Sequence, residues 1–164
     1  MKRGYFGIGI YHPKTEENLG TLWRSAHNFG ANFIFTIGNR YKKQKSATTY
    51  ASRHVPLYHY KDYEDFKSFV PEDCELVFVE QTQGARDLVD THHPERGIYI
   101  LGAEDIGIPE DLMRGHRKIY IDTPLCLNVA VAGSITMFHR TSWSTGNSLD
   151  CKFGGLGSIS SRRT

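Results

Sequence analysis

Several short runs in this chain are apolar almost from end to end: Tyr5–Tyr11, Phe33–Ile37, Glu75–Val79 and Gly97–Leu101. A strand with one wet face alternates apolar and polar residues, so strands this uniform need cover on both faces. Between the first two runs, Leu19, Leu22, Ala26 and Phe29 recur at helical spacing, and Gly30 supplies a stop. A helix from Glu16 or Asn18 to Phe29 follows from that pattern. Strand and helix signals keep alternating: a strand over Val55–Tyr60, a short helix over Asp62–Phe69 capped by Asp62, a turn of helix with Pro109 just inside it, a strand over Lys118–Ile121, and a last long helix over Leu127–Ser142. Alternation of this kind predicts an α/β fold, a mostly parallel sheet with helices on both faces.

The 164 residues suffice for one core, and residues 1–143 read as a single domain. Residues 144–164, rich in Gly, Ser and Arg, read as a tail. With 20 basic and 18 acidic residues the net charge is only +2, which excludes a polycationic nucleic-acid binder but leaves room for a local basic patch. The three cysteines are too few and too scattered for a disulfide framework, and a reducing, cytoplasmic setting is expected. No CxxC or paired Cys/His spacing supports a metal, and Pro94 after His92-His93 points to a turn, so no metal is expected. No run approaches the roughly 18 apolar residues of a membrane span, and none is expected.

Three segments carry polar residues at strand–helix junctions, where ligands of α/β proteins bind. Asn18-Leu19-Gly20-Thr21-Leu22-Trp23-Arg24 opens the first helix and places Arg24 opposite its apolar stripe. Leu101-Gly102-Ala103-Glu104-Asp105-Ile106-Gly107 closes a strand; Gly102 permits close approach to the backbone and Gly107 a sharp turn. Leu125-Cys126-Leu127-Asn128-Val129-Ala130-Val131-Ala132 sets one Asn into an apolar run at the start of the last helix. There Val131, Ile135 and Phe138 form a stripe suited to packing in the core, and Ala130, Ala132, Gly133 and Ser134 would admit a neighbouring backbone.

In order and spacing these segments resemble the three signature motifs of the SpoU/TrmH branch of the SPOUT RNA methyltransferases. The resemblance covers Tyr5 to Arg140. It implies a C-terminal trefoil knot, S-adenosylmethionine as methyl donor, a homodimer, and a ribose 2′-hydroxyl of RNA as acceptor. It implies catalytic roles for Asn18, Arg24, Glu104 and Asn128, and donor contacts from Val79, Glu80, Gln81, Gly102, Gly107, Ile121, Cys126 and Leu127. The chain departs from the pattern at Cys126, where the family usually has Ser, at Asp122, where Pro often follows the isoleucine, and in the short connection Thr123–Leu125.

A guanidinium offers donors and no lone pair, so Arg24 suits holding a phosphate and stabilising a forming alkoxide, while Glu104 or His27 would take the proton. The loop Arg40–Lys45, Arg53, Arg162 and Arg163 could meet RNA phosphates, and Tyr41 and Tyr50 could stack on bases. The absence of an added RNA-binding module before the first motif favours tRNA over rRNA. The alternatives are methylation of an RNA base, and an RNA-binding or cofactor-sensing protein without methyltransferase activity. A nicotinamide-dinucleotide enzyme is disfavoured: Gly7 and Gly9 lie within the first strand, and no G-x-G-x-x-G turn follows it.

Overall fold

The computed structural model describes residues 4–41 and 53–144. Lys42, Lys43, Lys45, Tyr50, Cys151, Arg162, Arg163 and the tail beyond residue 144 lie outside the described residues. The strands are β1 Phe6–Tyr11, β2 Phe33–Ile37, β3 Leu57–Tyr60, β4 Glu75–Val79, β5 Arg86–Asp87, β6 Gly97–Gly102 and β7 Arg117–Tyr120. The helices are α1 Glu16–Phe29, α2 Tyr63–Ser68, α3 Glu110–Met113 and α4 Val129–Ser144, with a 3-10 turn at Leu88–Asp90. One sheet holds all seven strands in the order β3-β2-β1-β6-β4-β7-β5, and every pair is parallel.

Each face of the sheet has its own core. On one side Ile8, Ile10, Val77, Tyr99 and Leu101 meet Leu19, Leu22 and Ala26 of α1 and Ala130 and Met137 of α4. On the other, Phe35, Phe78, Ile98 and Ile100 meet Tyr63 and Phe66 of α2 and Met113 of α3. The alternation in β1 explains itself here: Ile8 and Ile10 point to the first core, while Gly7 and Gly9 leave space on the second face for the rings of Phe33 and Phe35.

The elements differ from expectation in instructive places. The strand β5 lacks an apolar pattern and arises from pairing with β7, Arg86 opposite Ile119 and Asp87 opposite Tyr120. Pro109 sits at the cap of α3 rather than inside it. Asp62 caps α2 as expected, accepting from Asp65 N–H at 2.9 Å. The largest correction concerns α4. Its inward face is Ala130, Gly133 and Met137, whereas Val131, Ile135 and Phe138 are 44%, 37% and 47% exposed. Size decides this orientation. A Cβ on Gly133 would come within 2.5 Å of Leu22 Cδ1 and 3.1 Å of Leu101 Cδ1. Close packing of α4 against α1 and β6 therefore requires the small face inward, and the large apolar side chains are left outside.

Candidate active site

At the carboxyl ends of β4, β6 and β7 lies a cavity of about 230 Å³, closed on its far side by the start of α4. Val79, Glu80, Gln81, Gly102, Gly107, Ile121, Cys126 and Leu127 all line it, and so do Leu101, Ala103, Glu104, Asp105, Tyr120 and Thr123. Its floor is the turn after β6, where Gly107 N–H donates to Ala103 O at 2.8 Å and Gly107 adopts φ +61°. That left-handed backbone is why a glycine stands there. Above the floor sits the Glu80 side chain: a Cβ on Gly102 would fall 2.2 Å from its Oε2. Burial pushes the Glu80 carboxyl above the usual carboxylate range, against the lowering effect of N–H donors from Gln81 and Ile108.

The start of α4 is built from the polar residues of all three motifs. The first residues of a helix have N–H groups without intrahelical partners. Asn128 Oδ1 accepts from Ala130 N–H at 2.9 Å and from Val131 N–H at 3.3 Å, and Glu104 Oε1 accepts from Val129 N–H at 3.0 Å. With its oxygen so used, Asn128 turns Nδ2 outward and donates to Asn18 Oδ1 at 2.8 Å. That bond orients the Asn18 amide and leaves its own NH₂ as a donor. Asn18 does not cap α1, whose cap position is Thr15. The start of α4 thus ties together residues far apart in sequence: Asn18 and Asn128 lie 110 positions apart, and Glu104 and Val129 lie 25 apart.

Arg24 is not part of this network. It is exposed on α1, and among the described residues no hydrogen bond or ion pair engages it. His27, one turn further on, stacks on His54 with ring centroids 4.9 Å apart. Arg40 is already occupied: its Nε donates to His12 O, and its two terminal nitrogens grip Asp105 at 2.9 and 2.7 Å. That fork holds the Asp105 carboxyl down to about 2. Sequence reasoning did not anticipate this clasp, because nothing in a linear pattern joins positions 65 apart. Among the described residues no group of three or more His, Cys, Asp or Glu side chains could hold a metal ion. No helix there is long and apolar enough to cross a membrane.

A sequence-family profile, that of the SpoU rRNA Methylase family, matches residues 6–138. The chain belongs to this family. A search of curated proteins found no match. Among solved structures, one described as giving insights into the 2-OH methylation of C/U34 on tRNA is 21% identical, with a TM-score of 0.76 over 88% of this chain and 99% of that one. The SpoU methyltransferase AviRb from Streptomyces viridochromogenes, in complex with AdoMet, is 16% identical with a TM-score of 0.77, over 89% of this chain and 60% of that one. The TrmH/SpoU tRNA modifying enzyme of A. aeolicus is 15% identical with a TM-score of 0.72, over 88% and 78%. As a SpoU methylase the chain is an RNA methyltransferase, and its parallel sheet is the one these structures share.

Proposed function

We propose that this SpoU methylase transfers the methyl group of S-adenosylmethionine to a ribose 2′-hydroxyl of RNA, with tRNA favoured over rRNA, and that it works as a homodimer. The observation that carries the reading is the linked set Asn18, Asn128 and Glu104 at the start of α4, of which Glu104, with Leu127 and Val129 beside Asn128, lines the cavity. The residues present fit the donor. Val79, Leu101, Ile121 and Leu127 offer apolar walls for a purine, Gly102 and Gly107 bring backbone close, and the carboxylates suit a cation. The bound donor supplies an already activated methyl group, so the chain's task is placement and management of one proton.

Asn18 NH₂ is the donor left to orient the acceptor oxygen. Glu104 has one oxygen on Val129 N–H and the other for the hydroxyl proton. Arg24, exposed and unengaged among the described residues, holds the substrate phosphate and offsets charge on the oxygen as it forms. The preference for tRNA is supported by the neighbour described for tRNA 2-OH methylation, which this chain matches over nearly the whole of that chain. The outward stripe Val131, Ile135 and Phe138 supports the homodimer, since a row of large apolar side chains on one helix face is the hallmark of an interface. Phe138→Glu should leave a monomer by sedimentation.

A trefoil knot is part of the same reading. The chain leaves β7, two strands beyond β6, yet α4 packs on α1 and β6 and is held at its start by Glu104 from the loop after β6. Passage beneath that loop accounts for the route. The deciding experiment is methylation of RNA from a deletion strain with labelled donor, followed by mapping of the modified ribose. Label on a base, or in rRNA alone, rejects the corresponding part of the reading. Donor binding without transfer to any RNA would favour a cofactor sensor, to which the position of Arg24 outside the network also points.

A further inference from the structure

We propose that the Glu80 carboxylate makes the cavity discriminate between the methyl donor, with its sulfonium charge, and the spent product that lacks it, and so favours product release. This rests on the reading above that S-adenosylmethionine occupies the cavity. Among the described residues the cavity lining contains three carboxylates, Glu80, Glu104 and Asp105, and no Lys, Arg or His. They are not equivalent. Asp105 is neutralised by the two-nitrogen grip of Arg40. Glu104 is bonded to Val129 N–H at the positive end of the long helix α4, which offsets its charge. Glu80 meets the backbone N–H groups of Gln81 and Ile108, and among the described residues no cation accompanies it along the lining. It stands over Gly102 and Gly107, at the centre of the floor.

The two ligands differ by one methyl group and one unit of charge. At neutral pH the donor carries sulfonium and ammonium against one carboxylate; the product has lost the sulfonium. In the transfer the carbon–sulfur bond breaks, its electron pair stays on sulfur as a neutral thioether, the carbon–oxygen bond forms, and the hydroxyl proton leaves to a base. The attraction of Glu80 for the ligand ammonium and its repulsion of the ligand carboxylate are common to both ligands and cancel in the comparison. What remains is its attraction for the sulfonium, which exists only before transfer. Partial burial strengthens that term, since fewer water dipoles screen it.

The test is calorimetric binding to the full chain of two ligands: sinefungin, in which an ammonium-bearing carbon replaces the methyl sulfonium, and S-adenosylhomocysteine. Glu80→Gln should lower the ratio of sinefungin to S-adenosylhomocysteine affinity about tenfold, as expected for losing one poorly screened charge a few ångströms away. Glu80→Asp should keep the ratio. Where Glu80→Gln does not fold, Glu80→Ala is read the same way. An unchanged ratio overturns the proposal, as does equal weakening of both ligands, which would make Glu80 a support for the floor. Tighter binding of both would make it an obstruction, and overturns it too. If neither ligand binds the unmodified chain, the donor itself is wrong, and the proposal falls with it.

Discussion

The two ends of the sheet both carry polar clusters, and they are built on opposite principles. At the carboxyl ends of the strands, Asn18 and Asn128 bond to one another and Asn128 and Glu104 to the backbone, leaving, among the described residues, an amide NH₂ and a carboxylate oxygen uncommitted. At the amino ends, a second cluster closes on itself. Arg140, only 5% exposed, donates to Pro94 O at 2.6 Å, Glu95 O at 2.9 Å and the Tyr99 hydroxyl at 3.1 Å, with its guanidinium 4.8 Å from the centre of the Phe6 ring. His93 lies 2.7 Å from the Tyr99 hydroxyl through Nδ1 and 2.8 Å from His139 through Nε2. Both clusters sit at strand ends and both involve α4. Polar groups with valence to spare mark a place for a ligand; polar groups fully used among themselves mark a joint.

The contrast predicts separable damage. The largest stability loss belongs to the closed cluster. Arg140→Met leaves two carbonyls and a hydroxyl short of partners and should cost about 3 kcal/mol in urea unfolding, with donor affinity per folded molecule unchanged. At the open rim the loss is of activity. Asn18→Ala removes one positioned donor and should lower the rate of methylation about a hundredfold. It should barely move the unfolding midpoint, because Asn128 still caps α4. If Asn18→Ala unfolds the chain, or Arg140→Met spares it, the two ends have been assigned the wrong way round.

That division is only half visible in sequence. The strands β1, β2 and β4 are legible because burial on both faces demands unbroken apolar runs, and these exist. The cavity wall is legible in Gly102, Gly107 and Leu127 because special backbone and small size at strand ends leave a trace in residue type. The start of α4 is harder: the helix reads as beginning at Leu127, but Asn128 is used as the cap, so it begins at Val129. Its orientation is misread because hydrophobicity identifies a stripe without saying which of two faces packs, and here volume at Gly133 decides. Arg24 is recognised by spacing alone; spacing places it on a helix and does not bring it to a partner. The closed cluster is silent in sequence, since His93, Tyr99 and His139 acquire meaning only when β6 and α4 meet.

Titration sharpens the same comparison with a smaller effect. Burial first, then the neighbouring His139, Arg140, Arg117 and His92, hold His93 down to about 3, and burial lowers His139 as well. An unfolded chain takes up these protons near pH 6.5. Below that value the unfolded state binds protons that the native state refuses, so stability falls as pH drops from about 6.5 toward about 3. Between pH 7 and 5, where carboxylates contribute little, the urea midpoint should decline, and His93→Gln should flatten the decline. The open rim has the opposite sign: Glu80, raised by burial, favours the folded state on its protonated side and works against the slope. A midpoint flat from pH 7 to 5 in the unmodified chain would mean that the imidazoles at the amino ends accept charge in place, and that the cluster is not closed.

The smallest effect falls on the clasp between Arg40 and Asp105, which borders the open rim without sharing its spare valence. The pair is solvent-accessible, and such pairs stabilise little. Asp105 stays ionised across the working range because Arg40 holds it near 2. Asp105→Asn should therefore leave the unfolding midpoint in place. Its consequence is redistribution: a loosened Arg40 can turn its fork to an RNA phosphate, and the turn from Ala103 to Gly107 loses a tether. RNA affinity at low salt should rise two- to threefold while donor affinity falls by about as much, both on the order of one surface ion pair. Opposite signs in the two measurements would show that the clasp trades one ligand against the other. A loss in both would make Arg40 and Asp105 a closed joint like the one at the amino ends, and would erase the distinction between the two rims at that point.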